Sequence, residues 1–148
     1  MKVGTKSVLY GAHCLLIHPI CLAIAWTRLY GFAWDPRLWL AFGLHDIGYF
    51  SSPNVEGAEG KRHVELGARI MTRLFGPEWG DLCAGHSRHW AKLCGKPVSR
   101  LCFADKLAFV LTPDWLYLLM TSATGELHEY MQKPRDRQAG AACFTAEE

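Results

Sequence analysis

The sequence predicts an all-α bundle, and three observations carry that prediction. Apolar residues recur at spacings of three and four along most of the chain. Glycine and proline punctuate the pattern at Gly31, Gly48, Gly76-Pro77, Gly95-Lys96-Pro97 and Pro113, as breakers between helices do. No stretch sustains the strict alternation of a half-buried strand. With 148 residues, 50% of them apolar and six of them tryptophan, the chain is expected to form one domain over residues 1–133. A chain of that length buries roughly 70% of its unfolded surface. Beyond Pro134 the sequence turns polar, and residues 134–148 are expected to be a frayed tail.

The first helical region runs from about Ser7 to Tyr30. Pro19 should kink or divide it, because proline supplies no amide hydrogen and crowds the preceding turn. The segment Val8–Trp26 is apolar enough to suggest a membrane span, which needs about 20 apolar residues. It carries His13, His18 and Pro19, no second span follows, and no convincing signal-peptide cleavage site follows it, so a buried core helix is expected. Gly31 to Asp35 makes a turn. Asp35-Pro36 then opens the second helix, an acidic N-cap followed by proline at the first position. That helix should reach about Ile47 and end at Gly48. Ser51 to Gly60 is a loop rich in Gly, Pro, Ser and Asn. Arg62 to Phe75 is periodic and places His63, Leu66, Ile70 and Leu74 near one face. Glu78 to about Leu93 forms the next helix and carries both His86 and His89. Ser99 to Leu111 carries Asp105, and Pro113 opens a last long helix towards Met131.

A net charge of +2 gives no support to binding a nucleic-acid polymer or a membrane surface. The six cysteines form no Cys-x-x-Cys pair and no short disulfide framework, which fits a reduced, cytoplasmic protein in which most thiols are small core residues.

The adjacent pair His45-Asp46 ends the apolar run Leu38 to Leu44 and is the most informative feature of the chain. Further candidate ligands flank it: His13 and His18 before, and His63, His86, His89 and Asp105 after. Imidazole with carboxylate suits zinc, iron, manganese or nickel better than calcium, which prefers oxygen alone. If the first two helices form an antiparallel hairpin, His45 stands roughly 15 Å from the turn and His18 roughly 20 Å, against roughly 27 Å for His13. The geometry favours His18 over His13 as ligand. Each candidate alone has a plainer reading as a core or surface residue. Together they fall on different helices within apolar stretches, and helical bundles build one- and two-metal sites in that way.

The ordered set His18, His45-Asp46-Ile47-Gly48, His63-x-Glu65-Leu66-Gly67-Ala68, His86 and Ala104-Asp105-Lys106-Leu107-Ala108 resembles the HD-domain superfamily of metal-dependent phosphohydrolases, over about residues 13–111. The resemblance implies a single HD-domain-like helical bundle. It implies one metal held by His18, His45, Asp46 and Asp105 and a second held by His63 and His86, with Asp46 bridging. The ions would be divalent transition metals, two in number, drawn from Fe, Mn, Ni, Co and Zn. Tyr49 stands where one-metal branches often carry an acidic residue and where phosphodiesterase branches often carry lysine, which argues against both.

The expected chemistry is hydrolysis of a small phosphorylated substrate, such as a nucleotide, with Asp46 central to catalysis. His89, one turn from His86, is a candidate donor or general acid. Lys61, Arg62, Arg88 and Lys92 are the candidate phosphate-facing cations, although Arg88 and Lys92 equally suit a solvated i,i+4 face. Ser51–Gly60 could wall the site, Lys106 could pair with a carboxylate, and Trp90, Trp115 and Tyr117 could stack a base or belong to the core. Two other classes remain open: a mixed-valent di-iron oxygenase with the same ligand set, and a non-catalytic module that binds a nucleotide or partner.

Overall fold

The computed structural model describes residues 1–132; the expected tail over 134–148, and Cys143 with it, lies outside the described residues. Among the described residues every regular element is helical, which makes the architecture an all-α bundle. Eight helices follow in order: α1 (Val3–Tyr10), α2 (His18–Tyr30), α3 (Pro36–Leu44), α4 (Val64–Phe75), α5 (Pro77–Ala84), α6 (Arg88–Cys94), α7 (Arg100–Leu111) and α8 (Asp114–Thr124). A ninth, α9, spans 126–132. Single 3-10 turns at Ile47–Tyr49 and Gly60–Arg62 link α3 to α4.

Several expected boundaries move. The first helical region divides at residues 11–17, which form turns, rather than bending at Pro19. Pro19 lies in the first turn of α2, a position where proline's missing N–H and fixed φ are well tolerated. Asp35 caps α3 as expected, its side chain accepting from the Arg37 amide at 3.0 Å. That helix stops at Leu44, three residues short of the expected end, and Gly48 lies inside the following 3-10 turn. A Cβ at Gly48 would overlap the His63 carbonyl, so glycine there permits the close approach of this turn to α4. The segment expected as one helix from Glu78 to Leu93 is two, with Ser87 as the N-cap of α6. The last long helix is interrupted at Gly125, whose φ of 91° takes the chain through the left-handed region. In α4 the buried positions are Val64, Gly67 and Met71, whereas Leu66 and Leu74 are exposed.

The main core joins α2, α3 and α7 through Leu22, Ala25, Trp26, Phe42, Leu101 and Ala108. Alanine at Ala25, Ala104 and Ala108 lets α2 and α7 approach closely. A second cluster, Ala41, Met71 and Cys83, locks α3 against α4 and α5. A third, Val8, Tyr49 and Val55, seats α1 on the turn after Asp46. The described cysteines are free thiols, with Cys14, Cys83 and Cys102 buried. Among the described residues no helix is long and apolar enough to cross a membrane.

Phe42 is fully enclosed between Trp26 and Trp39. Phe42→Ala should therefore cost about 3–5 kcal/mol in chemical denaturation, while truncating exposed Leu93 to alanine should cost less than about 0.5 kcal/mol.

Candidate metal centre

His18 is the first residue of α2, and its amide is tied to Cys14 O at 2.9 Å. His45 is the C-cap of α3. Asp46 follows with φ −103° and ψ 3°, the bridge region of backbone space. Consecutive residues of a continuing helix diverge by about 100°. The bend at Asp46 cancels that divergence and turns both side chains inward. His63 joins the second 3-10 turn to α4, His86 lies in the link between α5 and α6, and Asp105 lies in the middle of α7. All six are buried.

Three of the imidazoles are oriented by the same device. His45 Nδ1 lies 3.0 Å from Phe42 O, His63 Nδ1 2.6 Å from Gly60 O, and His86 Nδ1 2.6 Å from Cys83 O. Each partner is a main-chain carbonyl three residues earlier, close to the end of a helical turn. A carbonyl only accepts, so each Nδ1 carries the hydrogen and Nε2 is left to face the interior.

The inward atoms form two groups that could each hold a metal ion: His18, His45, Asp46 and Asp105; and Asp46, His63 and His86. In the first, His45 Nε2 lies 2.9 Å from Asp46 Oδ2 and 3.3 Å from His18 Nε2, and His18 Nε2 lies 3.1 Å from Asp105 Oδ1. In the second, Asp46 Oδ1 lies 3.2 Å from His86 Nε2 and 3.5 Å from His63 Nε2, and those nitrogens are 3.0 Å apart. Ligands at about 2.1 Å from a transition metal stand roughly 3.0–3.4 Å from one another; most contacts here, from 2.9 to 3.5 Å, bracket that spacing, while His18–Asp46 and His45–Asp105 are wider at 3.7 and 3.8 Å. Asp46 turns one oxygen to each group. Asp105 Oδ1 supplies a separate test of fit: it is enclosed and receives no aligned hydrogen bond, while Oδ2 is held by Lys106 Nζ at 2.8 Å. A buried acceptor with no donor is costly unless a cation answers it.

Electrostatics agree. Burial disfavours charge on His45, but Asp46 and Asp105 overcome it and lift its pKa to about 10. Burial pushes His63 down to about 3 against the pull of Asp46. Asp46 is opposed by burial too, yet His45 and His13 hold it well below the usual carboxylate range.

A cavity of about 170 Å³ opens on the second group and is lined by Asp46, His63, His86 and Asp105 together with Arg88 and Lys106. His18 and His45 lie behind this lining. Tyr49 stacks on His63 with ring centroids 4.1 Å apart and planes 6° apart, and Phe109 covers His18 at 4.9 Å.

Of the expected site residues, His18, His45, Asp46, His63, His86 and Asp105 converge, and Arg88 reaches the cavity. The break before α6 separates His89 from His86: His89 and Lys92 are exposed and line no part of this cavity. Lys61 and Arg62 are exposed as well. Arg62 pairs with Glu65 at 2.8 Å and faces a different hollow, beside Ser51–Pro53. Trp90 and Trp115 stand apart from the cavity.

His13 is not in either ligand group but lines the cavity beside them. Its Nδ1 lies 2.7 Å from Ser7 Oγ and 3.3 Å from Glu126 Oε1. Glu126, fully buried, also accepts from Ser7 Oγ, the Ala12 amide, Thr124 Oγ1 and Tyr130 OH. Sequence reasoning overlooked Glu126; an acid placed straight after the helix break at Gly125, amid apolar helix, was the available signal. Comparison with protein-family models, with curated proteins and with solved structures returns no match for this chain.

With His45 titrating near 10, a metal must displace its proton at neutral pH. Binding of Mn or Co to chelator-treated protein should strengthen as pH rises from 6 to 8 and release protons, as calorimetry in two buffers of different ionisation enthalpy would register. Gly48→Ala should weaken the same binding, because the added methyl displaces His63.

Proposed function

We propose that this chain is a metal-dependent phosphohydrolase of HD-domain type, acting on a small phosphorylated molecule in a reducing, cytoplasmic setting. One observation carries the reading: the two oxygens of Asp46 face two different pairs of imidazoles. His18, His45, Asp46 and Asp105 would hold one divalent transition metal and Asp46, His63 and His86 the other. Bound there, the pair would supply an activated water and neutralise phosphoryl oxygens.

The chain's own groups provide the rest. Lys106, by holding Asp105 Oδ2, leaves Oδ1 as the single inward oxygen of that carboxylate. Arg88 is the cation positioned to meet a phosphoryl oxygen. Burial, with Asp46 and Glu56 adding to it, raises the Tyr49 phenol well above its ordinary pKa, so it remains a neutral donor at the cavity wall. Phe109 narrows the access of water. Five free thiols among the described residues support the reducing setting.

Protein reconstituted with Mn, Co, Ni, Fe or Zn should bind two equivalents and release phosphate from members of a phosphorylated-metabolite panel. Asp46→Ala should abolish turnover and lower the metal content. Loss of a charged hydrogen bond, worth about 1.5–3 kcal/mol, predicts a fall of roughly 10- to 100-fold in kcat/KM for Arg88→Ala. His89→Ala and Lys92→Ala should leave kcat/KM unchanged. Failure on the whole panel, with oxygen uptake by the iron-loaded protein, would replace this reading with di-iron oxygenase chemistry.

A further inference from the structure

The outer face of α2 is apolar where a solvent-facing helix would carry charge. Apart from buried His18, its 13 residues include a single basic side chain, Arg28, and no acid. Ile20 and Ile24, one turn apart, both stand exposed. A hollow of about 480 Å³ lies beside them, lined by Ile20, Ala23, Ile24 and Arg28 of α2, by Phe32, and by Trp39 of α3. Trp34 extends the patch, its ring meeting that of Phe32 at 4.6 Å. The far wall is fixed from behind: Trp39 donates its indole N–H to Ala33 O at 2.9 Å and meets buried Phe42 at 5.9 Å. The exposed part of Trp39 therefore carries no unmet donor.

The size of the patch sets it apart. Ile20, Ile24, Phe32, Trp34 and Trp39 are exposed to between 46% (Trp39) and 85% (Trp34). Together they offer roughly 700 Å² of mostly apolar surface, against roughly 300–600 Å² for the largest patch on a typical monomer. Thr27 and Arg28, exposed at the margin, bring it to about the 800 Å² that each partner contributes to a specific interface.

We infer that this face is the interface of a twofold dimer, with α2 packed against α2 of a second copy. Charge selects that occupant. A surface that meets its own duplicate about a twofold axis sets each charge near an identical one. Here the lining of the hollow includes only Arg28, and the nearby Asp35 and Arg37 neutralise one another at 2.6 Å. A strongly charged partner would need an opposite charge to meet, and an anionic membrane a cluster of cations; the patch supplies neither. The ridge formed by Ile20 and Ile24 of each copy enters the hollow of the other, as i, i+4 ridges enter grooves where helices cross. Small Ala23, between the two isoleucines, permits the close approach, and Trp34 is the aromatic anchor. The hollow shares no lining residue with the metal cavity, so the inference does not rest on the phosphohydrolase reading.

Sedimentation equilibrium on the 148-residue chain tests it. At about 20 µM the protein should be a dimer, since interfaces of this area hold at micromolar concentrations or below. Ile24→Glu places two like charges in the contact and should raise the dimer dissociation constant roughly 100-fold or more. Trp34→Ala, which removes an anchor, should raise it about tenfold or more. Trp115→Glu, on the exposed apolar side of α8, should leave it unchanged. Melting temperature and metal content report that each variant is folded. A parent chain that is monomeric at about 100 µM would overturn the inference, and its co-sedimentation with anionic vesicles would assign the face to a membrane instead. Assembly that grows beyond two copies with concentration would also overturn it, as would a dimer that survives both Ile24→Glu and Trp34→Ala or one that is lost in Trp115→Glu.

Discussion

The centre depends on hydrogen bonds from imidazole Nδ1 to main-chain carbonyls three residues earlier, made by His45, His63 and His86. The last carbonyls of a helical turn have no partner within the helix. Phe42 O and Cys83 O take a ring, Gly60 O takes the His63 ring in addition to the His63 amide, and each ring is left with its second nitrogen facing inward. Two inward nitrogens 3.0 Å apart, as in His63 and His86, repel unless a proton or a cation lies between them. The fold thus fixes both where the rings sit and what they require. It also explains why the candidate ligands other than Asp105, which lies in the middle of α7, sit at helix ends and breaks: a continuing helix cannot aim two consecutive side chains, such as His45 and Asp46, at one place.

Much of this was legible in the sequence. The fold class followed from breakers such as Gly76-Pro77, which act locally and do so whatever surrounds them. The candidate ligands stood out because they fell within apolar stretches of different elements, but it was the motif resemblance, not spacing alone, that implied the full set. The preference for His18 over His13 needed only helical rise and an antiparallel hairpin. The division of 77–94 was not legible, because it depends on a distant partner. Gly85 O accepts from the Ser99 amide at 2.9 Å, across the hairpin formed by α6. No periodicity within the segment encodes that bond, and its effect is to turn His89 away from His86. The hydrophobic face of α4 was misplaced for a related reason: the packing of Gly67 under α3 and Met71 under α5 rotates the helix, leaving Leu66 and Leu74 outside.

The two groups of buried acids show why burial alone does not identify a ligand. Glu126 is as deeply enclosed as Asp46 or Asp105, and it lies within reach of His13. Its two oxygens are nevertheless answered entirely by the protein, from Ser7, Ala12, Thr124 and Tyr130. That network is closed, and it ties α1 to the turn between α8 and α9 across a separation of 119 residues. Asp105 differs in one atom. Lys106 answers Oδ2, while Oδ1 is enclosed among imidazole nitrogens with no aligned donor. A carboxylate whose needs the fold meets in full is structural; one left with a single unanswered oxygen, directed at a ring of nitrogens, is arranged for something the chain itself does not supply. By that criterion Glu126 supports the cleft wall, and Asp105 belongs to the centre.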